Sequence, residues 1–152
     1  MTGKVELVPF DKRFFEKSRS WLEDEEVNHL TDTGELPSEP DRMRWFESLP
    51  SRMDYLILGV ACEEEPIGAC GLKNIQGSKA EYWGYIGEKN YWGKGFGSSM
   101  LKGVEQKAKE LNLNELYLKV LVENDRAIGL YRKNGYLETG KEDNRLIMAK
   151  RL

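Results

Sequence analysis

Tyr91-Trp92-Gly93-Lys94-Gly95-Phe96-Gly97-Ser98 is the stretch on which the reading of this chain turns. The two sides of this glycine run differ in hydrophobic period. Before it, Ala80 to Gly87 reads as a strand. After it, Met100, Leu101, Val104, Ala108 and Leu111 recur at helical spacing opposite a lysine-rich face, so a helix is expected from Ser98 or Ser99. A strand that enters a glycine-rich turn and then a helix has one strong physical use. Glycine lets backbone N–H groups converge on a ligand, and the helix N-terminus adds about half a positive charge. The ligand should carry phosphate.

Spacing separates the phosphate-binding signatures. A P-loop needs four residues between its glycines and Lys-Ser/Thr after the second, but Gly87 to Gly93 encloses one residue too many and Gly95 follows Lys94. The dinucleotide fingerprint G-x-G-x-x-G meets Ser98 where its third glycine belongs. It also needs a parallel βαβ unit, whereas the preceding segments read as an antiparallel meander. These are Tyr55 to Cys62, Pro66 to Ile75 and Ala80 to Gly87, joined by the turn-length connections Glu63-Glu64-Glu65 and Gln76-Gly77-Ser78.

Farther out, Val5 to Phe10 alternates as a short strand, and Asp11 offers an N-cap to a helix carrying Phe14, Phe15, Ser18, Trp21 and Leu22. A second short helix is expected around Asp24 to Leu30. Thr31 to Pro40 reads as a loop, after which Asp41 caps a helix that stops at Pro50. On the C-terminal side, Leu116, Leu118, Val120 and Val122 alternate as a strand. Asn124-Asp125 caps a helix ending at Asn134-Gly135, and Leu146 to Ala149 is a last strand. The order predicts one mixed α/β domain over residues 1–152, with a largely antiparallel sheet of about six to seven strands flanked by helices.

Composition narrows the function. The formal net charge of -3 argues against a protein built to coat a phosphate backbone, so no nucleic-acid partner is expected. No basic segment followed by an apolar one opens the chain, and no apolar run nears the ~20 residues of a spanning helix. A cytoplasmic protein without a membrane partner is expected. Cys62 and Cys70 lie in strand-like apolar stretches, which suits buried thiols. His29, the sole histidine, has no companion ligand at metal spacing and reads as an ordinary helix-end residue. No metal is expected.

Two segments together carry a family resemblance. Trp92-Gly93-Lys94-Gly95-Phe96-Gly97 resembles the pyrophosphate-binding motif Gln/Arg-x-x-Gly-x-Gly/Ala of the GNAT N-acetyltransferases, with Trp92 standing where Gln or Arg is commonest. Asn124-Asp125-Arg126-Ala127-Ile128-Gly129-Leu130-Tyr131-Arg132-Lys133-Asn134-Gly135-Tyr136 resembles the family's Asn-x-x-Ala-x-x-Leu-Tyr-x-x-x-Gly-Phe/Tyr segment. The pattern is similar to the branch containing ribosomal-protein and amino-sugar acetyltransferases.

The resemblance implies that the strands Ala80–Gly87 and Leu116–Val122 splay around acetyl-CoA. The backbone of Tyr85, Ile86 and Gly87 would meet its pantetheine. Lys94, Gly95, Phe96, Gly97 and Ser98 would donate N–H groups to its pyrophosphate, with Trp92 or Gly93 at the edge. Asn124 would cap its helix and bond the pantetheine arm, while Arg126 and Lys133 would reach nucleotide phosphates. Tyr131 matches the family's acid, which protonates the departing CoA sulfur. Glu81 resembles an Ala-Glu pair whose carboxylate serves as base near the acceptor amine, although a strand glutamate is very often only solvated.

Acceptor choice falls to the N-terminal half. Trp21-Leu22-Glu23-Asp24-Glu25-Glu26-Val27 resembles a Trp-x-x-Asp-x-x-Val segment of that branch, and Trp45-Phe46-Glu47-Ser48-Leu49 a segment of its amino-sugar members; both also read as core anchors. Asp24, Glu25, Glu26, Asp32, Glu35 and Glu39 could draw in a cation. The expected acceptor is a small primary amine, with a nucleotide-linked amino sugar as the leading guess. The alternatives are the N-terminal amine of a protein such as a ribosomal protein, and a CoA-binding sensor without catalysis. A monomer or homodimer is expected.

Overall fold

The two hydrophobic periods become twelve elements in the computed structural model, which describes residues 4–152. The first three residues of the expected single domain lie outside the described residues. The chain opens with β1 (Val5–Pro9), α1 (Lys12–Glu23), α2 (Glu25–Leu30) and α3 (Glu39–Ser48). The meander β2 (Leu56–Cys62), β3 (Glu65–Gln76) and β4 (Lys79–Ile86) follows, then α4 (Phe96–Glu110), β5 (Glu115–Leu121), α5 (Asp125–Lys133), β6 (Leu137–Glu142) and β7 (Arg145–Arg151). All strands join one sheet in the order β1-β2-β3-β4-β5-β7-β6.

Every pairing is antiparallel except β4 with β5, which run parallel and pair only at Lys79–Glu115, Ala80–Leu116 and Glu81–Tyr117. Both strands continue beyond that ladder, to Ile86 and Leu121, without further pairing. The implied splay is therefore present. It opens at Glu81.

Alternation assigns the faces. Ala80 and Tyr82 of β4 join Leu116 and Leu118 of β5 and Met100, Leu101 and Val104 of α4 in the larger core. Each fully buried large side chain there stabilises the fold by about 1.5–3 kcal/mol. The other face is covered by α1, whose Phe14 and Trp21 pack with Ala61, Val8, Phe10 and Tyr85 in a smaller, more aromatic cluster. Arg42 fastens α3 to α1: it is 7% exposed and donates to the Phe15 carbonyl and Ser18 Oγ while stacking on the Phe15 ring. Cys62 and Cys70 are free and buried, and burial pushes the Cys70 thiol up. Among the described residues no helix is long and apolar enough to cross a membrane.

Five features differ from expectation. Helix α3 begins at Glu39 because Ser38, not Asp41, is its cap: Ser38 Oγ accepts the Asp41 N–H, and Pro40 is tolerated within the first turn. Helix α4 begins at Phe96 rather than Ser98 or Ser99, since Gly95 takes the N-cap position at φ 82°. Leu111, expected on its apolar face, is the half-exposed C-cap. A 3₁₀ turn, Lys89–Tyr91, separates β4 from the glycines, which therefore do not follow the strand directly. Finally β6 was not expected at all. It is an exposed edge strand with no apolar alternation, and its pairing with β7 creates it.

Candidate active site

Local backbone chemistry shapes the mouth of the splay. Gly93 and Gly95 have φ 75° and 82°, in the left-handed region where a side chain is strained. That conformation turns the chain sharply into α4, and no side chain caps the helix start. The first i→i−4 bond of the helix is Ser99 N–H to the Gly95 carbonyl, so the amides of Phe96, Gly97 and Ser98 precede the ladder and present the positive end of the dipole. Lys94 is exposed beside them.

Helix α5 lies against this end. A Cβ on Gly97 would stand 2.8 Å from Leu130 Cδ1, so glycine leaves room for the Leu130 side chain at this approach. Asn134 Nδ2 donates to Ser98 Oγ at 3.0 Å, which brings the end of α5 bearing Lys133 to the first turn of α4. The Arg126 guanidinium sits 5.9 Å from the Trp92 ring centroid. The Trp92 indole N–H donates to the Ile86 carbonyl at 2.8 Å. Trp92 is thus a brace between loop and strand end. Asn124 caps α5, its side chain accepting the Ala127 N–H at 3.2 Å.

The three residues expected to meet pantetheine, Tyr85 and Ile86 of β4 and Gly87 just after it, divide. Gly87 N–H donates to the Ile67 carbonyl at 2.7 Å, toward β3, and antiparallel alternation turns the Tyr85 backbone the same way. Only Ile86, and with it Gly84, presents backbone to the open edge. Tyr85 and Gly87 contribute on the opposite face instead, where both pack against Trp21. Burial pushes the Tyr85 phenol up.

Tyr131 stands on the α4 face, half-buried, edge-on to Tyr82 at 6.2 Å and to Tyr136 at 6.0 Å. Burial pushes its phenol up to about 12, so it keeps its proton at neutral pH. Glu81 stands on the α1–α3 face at the point where the strands part, 7% exposed. A bulge after Lys73 lets Asn74 Nδ2 donate to Glu81 Oε1 at 3.0 Å, while Lys73 Nζ lies 3.8 Å from Oε2. Two residues on, Trp83 stacks with Tyr55, which meets Trp45 edge-on. The Trp83 indole N–H is buried without a hydrogen-bond partner.

Helix α2 crosses near the cleft with most of its acidic neighbours already engaged. Asp24 and Glu26 pair with Lys89, Asp32 with Arg145, and Glu39 with Arg19 and Arg42. Only Glu25 and Glu35 of the expected cation-drawing set have no such pairing among the described residues. His29 Nε2 lies 3.0 Å from Glu123, so the helix-end histidine links α2 to the turn before α5. The contacts of Asn74, Tyr82, Trp83 and Asn134 with these site residues were missed at the sequence level; they depend on strand pairing and helix approach, which no short motif encodes.

Residues 15–136 match the family described as acetyltransferase (GNAT) family. Among solved structures, the chain is similar to the spermidine N-acetyltransferase from Vibrio cholerae in complex with CoA and spermine, at TM-score 0.87 and 18% identity, covering 97% of this chain and 95% of that one. It is also similar to the Campylobacter jejuni N-acetyltransferase PseH in complex with acetyl coenzyme A, at TM-score 0.76 and 18% identity, covering 97% and 98%. The PaiA N-acetyltransferase from Thermoplasma acidophilum in complex with coenzyme A gives TM-score 0.75 and 23% identity over the whole of both chains.

Proposed function

The chain belongs to the acetyltransferase (GNAT) family and is an acetyl-CoA-dependent N-acetyltransferase; from that premise we propose that it acetylates a small primary amine that also carries oxygen, with a nucleotide-linked amino sugar the leading form. The observation that carries the reading is the parting of β4 from β5 at Glu81, which leaves a gap between two strand edges that no longer pair. Acetyl-CoA lies in it with pyrophosphate at the amides of Gly95 to Ser98 and pantetheine along Gly84 and Ile86. Lys94, Arg126 and Lys133 face the phosphates.

The chemistry divides between the faces. An alkylammonium with pKa near 10.4 loses its proton at a cost of roughly 4–5 kcal/mol at pH 7, and Glu81 receives that proton directly or through a water. The amine nitrogen attacks the thioester carbonyl, the C–S bond breaks as Tyr131 gives its phenolic proton to the leaving sulfur, and the nitrogen's second proton is lost to solvent, from which the phenol is restored. Holding amine and thioester in register supplies much of the remaining acceleration. The aromatic wall of Trp45, Tyr55 and Trp83 suits the apolar side of a ring-shaped acceptor, and the unpartnered Trp83 donor favours one with an oxygen to accept it. A purely cationic polyamine fits less well, because the acidic side chains around α2 are largely paired.

The test is a panel of polyamines, amino sugars free and nucleotide-linked, and N-terminal peptides, each assayed with acetyl-CoA by release of free thiol. Turnover should be highest with an amino sugar. Turnover confined to peptides would overturn the small-molecule reading, and slow hydrolysis with no accepted amine would overturn transfer itself.

A further inference from the structure

One charged residue breaks the apolar stripe of α4. Glu105 occupies a position of that stripe between Leu101 and Ala108, and it is 8% exposed. A lone carboxylate buried there would be expensive, but it is not alone. Lys150 of β7 reaches both of its oxygens, at 3.1 and 3.2 Å, and the Tyr136 phenol donates to Oε2 at 2.8 Å. The Lys150 ammonium also lies 5.7 Å from the Tyr136 ring centroid. Each member therefore fixes the others.

Replacing such a network by apolar side chains is often neutral for stability, so its presence calls for another use. Its geometry supplies one. Tyr136 is fully buried, its backbone N–H donates to the Tyr131 carbonyl at 3.0 Å, and its ring meets the Tyr131 ring at 61°. Tyr82 makes a second contact with the Tyr131 ring, at 78°. A ring held edge-on by two neighbours has little freedom to swing, and one of those neighbours is pinned through its hydroxyl to a buried ion pair.

We propose that Lys150, Glu105 and Tyr136 form a positioning network that fixes the Tyr131 ring, and so its phenolic proton, toward the cleft between β4 and β5. The inference rests on reading Tyr131 as the acid. None of the three touches the reacting atoms; they act through Tyr131.

A double-mutant cycle tests it, using acetyl-CoA and the fastest amine of the panel, or acetyl-CoA hydrolysis if no amine is turned over. Tyr136→Phe keeps the ring and removes only the hydroxyl; kcat should fall about tenfold with the acetyl-CoA KM within about twofold, in keeping with the sensitivity of transfer to small misplacements. In a Tyr131→Phe background the same change should have no effect, because the group being positioned is gone. Lys150→Met should reproduce the loss and Lys150→Arg restore it. An equal loss in both backgrounds, or no loss in the wild type, would overturn the network. If Tyr131→Phe itself leaves turnover unchanged, the acid assignment falls. The network is then judged by the ¹⁹F line of 3-fluorotyrosine at position 131: sharp in the wild type and broadened by Tyr136→Phe or Lys150→Met if the ring is held, unchanged if it is not.

Discussion

On the α4 face the cleft is shaped by backbone, through positive φ at Gly93 and Gly95, an uncapped helix start and a helix approach in which Gly97 leaves room for Leu130. On the α1–α3 face it is shaped by side chains, with Glu81 held by Asn74 and Lys73, a run of aromatic rings, and ion pairs at the edge. The difference fits the proposed division between cofactor and acceptor. Phosphates and an amide arm are the same in every acetyl-CoA, so amides suffice. An acceptor varies, and side chains can vary with it.

The comparison breaks first at Tyr131. Tyr131→Phe should lower kcat about a hundredfold while acetyl-CoA affinity, measured by calorimetry, stays within about twofold; a parallel loss of affinity would make this phenol part of the binding surface instead. High pH should affect both halves alike. Burial pushes Tyr131 and Tyr55 each up to about 12 from an ordinary value near 10. Their folded pKa values are raised, so the stability they contribute is complete below about pH 10 and is lost as pH rises through about 12. Urea midpoints from pH 9 to 12 should fall over that window, and Tyr55→Phe should shrink the fall.

Gly87 joins the halves. A Cβ there would stand 2.3 Å from the Trp21 ring, and Gly87→Ala should cost about 1–3 kcal/mol in urea unfolding and raise the amine KM through displacement of α1. Glu81→Gln sharpens the division: in steady-state assays kcat/KM for the amine should drop about tenfold with the acetyl-CoA KM unchanged. The smallest effect is local. Asn124→Ala removes the α5 cap and should cost about 1 kcal/mol; any additional loss of acetyl-CoA affinity would assign the side chain a second contact.

Legibility followed the same division. The glycine turn and the Asn124 cap were readable because backbone requirements leave fixed residue types at fixed spacing, whereas Tyr131 was singled out by the family resemblance alone. Strand β6 was not, because Leu137-Glu-Thr-Gly-Lys-Glu142 is an exposed edge and buries nothing that would impose a period. The start of α3 was misplaced because two capping residues, Ser38 and Asp41, lie within one turn, and only geometry shows which oxygen accepts. Glu105 did carry a signal, a charge inside an apolar stripe, but its partners come from β7 and from beyond α5. Tyr85 and Gly87 were assigned to pantetheine by motif position alone, and the direction of their amides is a matter of register with β3.

The short parallel ladder at Lys79–Glu81 also bears on how the sheet holds together. β1 to β4 and β5-β7-β6 are two antiparallel blocks, and each contains hairpins that close over short stretches of chain. Joining them requires closure across the whole of α4, an entropic cost that the three backbone pairs of the ladder offset poorly, so the two blocks depend on the core they share with α4 to stay together.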